Sequence, residues 1–217
     1  MQLEIINLSK RYKSIQAVDG VSFKVSSGEA VAVVGSNGSG KSSLLRMVVG
    51  LDRPSGGSVT MNGWDVALAV KNGVRIRLVS DGVAGSGGRT VRRHLEAVAA
   101  MHGLNKSIVL EALEEVSLTR AANIRVVDCS AGMRQRLAIA VGWLGPCDLL
   151  VMDEPTNSLD SDGTALIVRL VQQVTDNGGA VLLATHDFGL AVSACGRQIA
   201  LEKGVISGCV GGHHDVD

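Results

Sequence analysis

The sequence of 217 residues has no excess of charge of either sign. Its 21 lysine and arginine residues are balanced by 21 aspartate and glutamate residues. Proteins that hold nucleic acid or an anionic membrane surface without sequence-specific contacts rely on a strongly basic field. We therefore expect no nucleic acid among the partners of this chain.

Long hydrophobic runs are also absent. No segment approaches the roughly 18–20 uncharged, apolar residues that a membrane-spanning helix needs. The first residues have neither the basic region nor the long apolar core of a signal peptide. We expect a single domain that buries a proper core and that is made and kept in the cytosol.

The cysteines form no C-x-x-C pair and are scattered along the chain. Such thiols fit core or surface positions in a reducing compartment better than a disulfide framework or a zinc site. Cys209 with His213 and His214 could hold a metal ion. Because several glycines surround these residues, a loose chain terminus is favoured over a ligand set.

A phosphate-binding motif is present, and its context fits. Residues 35–42 follow the pattern G-x-x-x-x-G-K-[ST]. An apolar run at residues 29–34 predicts a buried strand before the motif, and residues 43–49 predict a helix after it. Glycines allow the tight turn that points successive N–H groups at one anion, and the helix N-terminus adds partial positive charge. The alternative is an ordinary Gly/Ser-rich turn, in which the motif residues fall in register by accident.

The motif therefore predicts that the chain binds a nucleoside triphosphate. Lys41 supplies a full positive charge, and the hydroxyl of Ser42 can ligate Mg²⁺. The predicted nucleotide-binding residues of this segment are Gly35, Ser36, Asn37, Gly38, Ser39, Gly40, Lys41, Ser42 and Ser43.

An acidic pair is predicted to complete the site where an apolar strand ends. Asp153 and Glu154 directly follow the apolar residues 149–152. In phosphate-loop NTPases an aspartate at this strand end holds the Mg²⁺ that bridges the β- and γ-phosphates. A glutamate beside it can orient or deprotonate the attacking water. The alternative is that the two acids are solvated side chains at an ordinary strand end. The presence of the phosphate loop in the same chain makes this alternative less favoured.

The periodicity of apolar residues predicts an α/β fold built on a phosphate-loop NTPase core with a mostly parallel sheet. Strands are predicted at residues 2–6, 18–25, 29–34, 74–79, 149–152 and 180–185, with hairpins at residues 62–63 and 202–204. Helices are predicted at residues 91–101, 106–116, 131–141, 164–174 and 188–194. We assign residues 1–81 and 147–217 to the core and residues 82–146 to an inserted helical subdomain.

Three further segments resemble the nucleotide-binding subunits of ABC transporters. Residues 129–136, Cys-Ser-Ala-Gly-Met-Arg-Gln-Arg, are similar to the family signature, which is usually LSGGQ followed by R-Q-R. Residues 154–160 are similar to the catalytic glutamate and the D-loop. His186, at the end of a predicted strand, is similar to the switch histidine. The order and spacing match from about residue 3 to residue 203.

The resemblance implies an N-terminal antiparallel β subdomain and a role for each matching residue. Ser130 and Gly132 would close over the γ-phosphate held by the opposite subunit, so that two chains sandwich two ATP molecules, with Asp160 at the dimer seam. His186 would bind the γ-phosphate and Glu154 would act as the base, with Lys41 neutralising charge. Tyr12 lies where the family keeps an aromatic ring that stacks on adenine. A packing tyrosine and a structural histidine are the alternatives.

The sequence departs from the family pattern at several positions. The signature has Cys129 for Leu, Ala131 for the first Gly and Met133 for Gln. A Met after the Gly is similar to subunits of small bacterial exporters. Asp81 aligns with a position that the family usually gives to a Gln that contacts Mg²⁺ and the attacking water.

The function that the resemblance implies is hydrolysis of ATP that powers transport, with Mg²⁺ as cofactor. The partners would be a second copy or a related ATPase subunit, and separate integral membrane subunits. The chain would lie in the cytoplasm on the inner face of the membrane, as part of an exporter. The alternatives are a soluble ATPase of the same superfamily that acts on ribosomes or DNA, and a phosphate-loop kinase.

Overall fold

A computed structural model describes residues 1–80, 88–159 and 161–211. In chain order the strands are β1 (Gln2–Tyr12), β2 (Ile15–Ser26), β3 (Ala30–Val34), β4 (Gly56–Met61), β5 (Trp64–Asp65), β6 (Ile76–Val79), β7 (Leu149–Asp153), β8 (Ala180–Thr185), β9 (Arg197–Glu202) and β10 (Val205–Val210). The helices are α1 (Lys41–Val48), α2 (Val66–Lys71), α3 (Val91–Met101), α4 (Ser107–Glu115), α5 (Ala131–Gly142), α6 (Ser161–Asp176) and α7 (Phe188–Ala194).

The larger sheet is mostly parallel and has the strand order β10-β9-β3-β8-β7-β6. Among its pairs in the described part of the chain, β9–β10 is antiparallel and the others are parallel. Its central strands β3, β7 and β8 are continuous apolar runs, as expected of strands buried on both faces. The predicted mixed α/β fold with a mostly parallel sheet is confirmed.

Two apolar cores cover the two faces of this sheet. Because side chains alternate along a strand, Val31 and Val33 of β3 join one core while Ala32 joins the other. The first core lies toward α1 and the smaller sheet, and the second lies toward α3 to α7. Each loop at the carboxyl end of a central strand is therefore supported from both sides.

The smaller sheet is antiparallel, with the order β2-β1-β4-β5, and confirms the N-terminal β subdomain. Its predicted turn at Asn62 and Gly63 has φ of 52° and 80°, the left-handed pair that a two-residue hairpin requires. The second predicted hairpin, at Lys203 and Gly204, has φ of 49° and 85°.

Three helices, α3 to α5, lie between β6 and β7 along the chain, within the segment predicted to be a helical insertion. Its assignment as a subdomain over residues 82–146 stays a prediction. Helix α3 has the predicted bounds, and the side chain of Thr90 caps it by accepting a hydrogen bond from the Arg93 amide at 3.3 Å. Helix α2 was not predicted, although Asp65 caps it in the same way from the Leu68 amide at 2.9 Å.

Within the three described ranges, no helix is both long enough and apolar enough to cross a membrane.

Candidate nucleotide-binding site

The phosphate loop connects the end of β3 to the start of α1, as predicted. A Cβ atom on Gly35 would lie 2.3 Å from the carbonyl oxygen of Leu201, and one on Gly40 would lie 2.2 Å from that of Ala17. Gly40 also has φ of 107°. Only glycine fits these two positions, so the backbone can turn between neighbouring segments and present its N–H groups.

Lys41 begins α1 and is 5% exposed. Its ammonium group donates to the carbonyl oxygens of Gly35 at 2.7 Å and Ser36 at 3.1 Å. It also lies 3.1 Å from Oε1 of Glu154. The charge is therefore fixed at the centre of the loop, where phosphate oxygens would approach.

Ser42 and Asp153 meet across the gap between α1 and β7. The hydroxyl of Ser42 donates to Oδ1 of Asp153 at 3.1 Å. A hydroxyl and a carboxylate are oxygen donors of the kind that Mg²⁺ prefers, and Mg²⁺ is usually held by one or two carboxylates together with substrate phosphates. The pair fits the predicted metal site.

Glu154 connects the lysine to the histidine. Its Oε2 lies 2.8 Å from Nδ1 of His186 and accepts from the His186 backbone amide at 3.3 Å. Its own backbone amide donates to Ala184 of β8 at 2.9 Å. Lys41, Glu154 and His186 follow strands β3, β7 and β8, so the carboxyl ends of three neighbouring parallel strands bring them together.

A cleft of about 240 Å³ lies along the loop and α1. Its lining comprises Ile15, Gln16, Ala17, Asn37, Gly38, Gly40, Lys41, Ser42, Ser43 and Glu154. Tyr12 pairs with Ile15, one of these lining residues, at the tip of the β1–β2 hairpin, and is 40% exposed. Ser39 is buried behind the loop, where its carbonyl accepts from the Gly204 amide at 2.8 Å.

The signature residues lie at the start of α5. Ser130 caps the helix by accepting from the Met133 amide at 3.2 Å. A Cβ atom on Gly132 would lie 3.2 Å from the carbonyl oxygen of Ser158, in the segment after β7. The Ser130 hydroxyl is thus bonded within α5, and Gly132 faces the segment after β7.

Two predicted positions, Asp81 and Asp160, lie outside the described residues, as do His213 and His214. Two further side chains near the site had no predicted role, although Gln135 belongs to the R-Q-R part of the signature segment. Gln135 is 3% exposed and donates from Nε2 to the carbonyl of Pro155 at 2.9 Å, which ties α5 to the segment after Glu154. Asp52 contacts Tyr12 and carries no sequence motif that would mark it.

The sheet covered on both faces and the phosphate loop at its carboxyl edge define a P-loop nucleotide-binding domain. Comparison with known proteins gives the family. A family profile described as ABC transporter matches residues 18–157. The chain belongs to the ABC transporter family, and its domain is an ABC ATPase domain that binds ATP.

The chain is similar to several curated relatives. The Nod factor export ATP-binding protein I of Rhizobium etli is 32% identical over 209 residues, covering 93% of this chain and 66% of that protein. Its counterpart in Burkholderia pseudomallei is 31% identical over 207 residues, covering 93% and 68%. The methionine import ATP-binding protein MetN 3 of Oceanobacillus iheyensis is 32% identical over 218 residues, covering 94% and 64%. The chain thus spans about two thirds of the length of these relatives.

Solved structures show the same fold. An ATP-binding subunit of an ABC transporter aligns with a TM-score of 0.85 and 26% identity, covering 97% of this chain and 90% of that chain. A dimeric ATP-binding cassette in a post-hydrolysis state, bound to ADP and Pi, aligns with a TM-score of 0.86 and 25% identity, covering 98% and 99%.

Proposed function

We propose that this chain hydrolyses ATP at the site formed by Lys41, Ser42, Asp153, Glu154 and His186. The observation that carries the proposal is the contact of Glu154 with both Lys41, at 3.1 Å, and His186, at 2.8 Å. A carboxylate held between these two groups, beside a phosphate loop, is positioned to accept a proton from water.

Each residue has a defined task in this proposal. The loop amides and Lys41 bind the phosphates. Ser42 and Asp153 would hold Mg²⁺, which would neutralise phosphate charge. Glu154 orients the attacking water and takes its proton. His186 donates to the γ-phosphate and stabilises the charge that develops there. Tyr12 stacks on the adenine base.

The second half of each site is supplied by another subunit. In this proposal two chains close on two ATP molecules, and Ser130 and Gly132 at the start of α5 bind the γ-phosphate held by the partner. The capped, positively polarised N-terminus of α5 supports this role. The related dimeric cassette bound to ADP and Pi supports it further. A second copy, or a related ATPase subunit, is the partner.

Closure of the dimer would move separate integral membrane subunits, which places the chain in the cytoplasm on the inner face of the membrane. We propose that the assembly is an exporter. The sequence Ala131-Gly132-Met133 and the relatives named for Nod factor export support this direction. The test is to look for a polytopic membrane protein in the neighbouring reading frames, to co-purify it with this chain, and to assay transport in vesicles of both orientations. Uptake only from the outer face would contradict export.

Lys41→Ala tests the nucleotide site directly. The substitution removes a charge-assisted contact worth roughly 1.5–3 kcal/mol, which corresponds to at least about a tenfold loss of affinity for ATP. We expect hydrolysis to be lost as well. Titration calorimetry and a steady-state phosphate-release assay measure the two quantities. Lys71→Ala, an exposed lysine on α2, is the control. Unchanged binding and turnover in Lys41→Ala would refute the assignment.

A further inference from the structure

Tyr12 is held at its hydroxyl by an aspartate from another element. The hydroxyl donates to Oδ2 of Asp52 at 2.5 Å. Asp52 in turn lies 3.1 Å from Nε and 3.4 Å from Nη2 of Arg46, which belongs to α1. The chain Tyr12–Asp52–Arg46 thus joins the tip of β1 to the helix that starts at the phosphate loop.

One face of the Tyr12 ring is already covered. The ammonium group of Lys10 lies 4.9 Å from the ring centroid, within the range of a cation–π contact. Lys10 is fixed there because it also donates to the carbonyl of Arg53 at 2.7 Å. A base can therefore stack on the opposite ring face alone.

The charged groups around the Tyr12 phenol keep its hydrogen bond with Asp52 in one protonation state. The hydrogen bond to Asp52 raises the pKa of Tyr12, and Ser43 of α1 is close enough to lower it in part. Arg46 first, and Tyr12 second, lower the pKa of Asp52. At neutral pH the phenol is the donor and the carboxylate is the acceptor, which is a strong, directional arrangement.

We propose that Asp52 is a positioning residue for the nucleotide base. By fixing the hydroxyl of Tyr12 to α1, it sets the ring at a constant distance from the phosphate loop and leaves the face opposite Lys10 for a purine. This inference rests on the proposed function, in which Tyr12 stacks on adenine. It adds the residue that orders the ring before ATP arrives.

The physical effect is preorganisation. A tyrosine on an exposed hairpin tip samples several side-chain rotamers, and ordering it on binding costs free energy. The bond to Asp52 removes most of that cost in advance. Its loss should weaken ligands that have a base and should spare ligands that consist of phosphate groups alone.

The experiment compares ATP with inorganic tripolyphosphate by titration calorimetry on the full chain. Asp52→Ala should weaken ATP binding about 3- to 10-fold, the range of one hydrogen bond, and leave tripolyphosphate binding unchanged. Tyr12→Phe keeps the ring and removes only the hydroxyl, so it should cause the same loss. The double variant should be no weaker than either single variant. Asp128→Ala, which breaks the exposed ion pair with Arg125, is the matched control.

The outcomes separate this inference from the proposed function. Equal weakening of both ligands by Asp52→Ala would mean a general structural role and would overturn the proposal. The proposal would also be overturned if Asp52→Ala and Tyr12→Phe bound ATP as the wild type does while Tyr12→Ala bound it weakly. That result would still support stacking of the base on Tyr12. If the wild-type chain bound ATP no more tightly than tripolyphosphate, base stacking itself would be refuted.

Discussion

Among single residues, Glu154 combines an unusual backbone conformation with a central place in the site. Its φ of 47° lies in the left-handed region, which costs a non-glycine residue on the order of 1 kcal/mol or more. The strained conformation is held by the bond from its amide to Ala184 and by the contacts of its carboxylate with Lys41 and His186. Strain of this kind is commonly kept where it aims a functional side chain.

Asp81 provides a prediction at the same scale. A carboxylate where the family has a Gln would attract Mg²⁺ but repel the γ-phosphate oxygens. At about 5 Å and an effective dielectric near 20, one such repulsion is on the order of 3 kcal/mol, comparable to the attraction by one unit of metal charge at that distance. We predict weak basal hydrolysis, with Asp81→Gln raising it or leaving it equal, measured as steady-state ATPase activity at matched Mg²⁺. Lost activity with intact ATP binding would contradict this.

The residues that the sequence could single out, and that the structure brings together, are those whose chemistry needs a fixed motif. Lys41 and Ser42 are specified by the phosphate loop, and Asp153 and Glu154 by the end of an apolar strand. Asp52 could not be predicted, because its contact with Tyr12 joins the segment after α1 to the end of β1 and follows no local pattern. Gln135 belongs to the R-Q-R part of the signature segment, but its bond to the Pro155 carbonyl could not be predicted, since that partner lies 20 residues away.

At the scale of elements, β6 and β7 are joined at their start by an ion pair. The carboxylate of Asp148 accepts from the backbone amide, Nε and Nη2 of Arg75 at 2.8, 2.9 and 2.8 Å. These hydrogen bonds lower the pKa of Asp148. Because its pKa is lower in the folded state, Asp148 contributes stability above its unfolded pKa of about 3.9, and that contribution is lost as pH falls through the folded pKa.

Asp148→Asn should therefore lower the free energy of unfolding at pH 7 by about 1 kcal/mol, a value reduced by the partial exposure of Arg75. Below about pH 4 the difference from the wild type should shrink. Urea unfolding at several pH values measures it, with Asp128→Asn as the control for an exposed pair. If the difference in the free energy of unfolding stayed constant down to pH 3, the charge of Asp148 would make no contribution to stability.

The antiparallel sheet depends on one glycine in β4. Gly57 has φ of 73°, and a Cβ atom there would lie 2.2 Å from the carbonyl oxygen of Asn7. Gly20 in β2 has a similar φ of 62° but no atom within 4 Å of such a Cβ. Gly20→Ala should cost about 1–2 kcal/mol from the backbone conformation alone, and Gly57→Ala should cost at least about 1–3 kcal/mol more. Urea unfolding measures both losses of stability. Equal losses in Gly20→Ala and Gly57→Ala would refute the close approach of Gly57 to the Asn7 carbonyl.

Element types were predictable because periodicity distinguishes strands from helices. Strand β8 and helices α3 and α7 have the predicted bounds, and the hairpin turns lie at the predicted positions. Strand β1 runs to Tyr12, beyond the predicted end. Pairing with β2 extends it through register shifts, where apolar and polar residues do not alternate. Helix α2 was missed because its six residues are too few to establish a helical period.

For the whole molecule, the two cores on opposite faces of one sheet explain how distant parts of the chain form one site. The phosphate loop follows β3, Asp153 and Glu154 end or follow β7, and His186 follows β8. Gly132 of the signature, at the start of α5, faces the carbonyl of Ser158 in its own chain. In our account a complete site therefore needs two chains.

Glu154→Gln tests this account most directly. The amide has nearly the same size as the carboxylate but cannot accept the proton of water, so ATP should bind, hydrolysis should stop, and the closed dimer should persist. Multi-angle light scattering of the variant with Mg²⁺-ATP should give twice the mass of one chain, while the same variant with Mg²⁺-ADP stays monomeric. A variant that binds ATP and remains monomeric at high protein concentration would contradict the account.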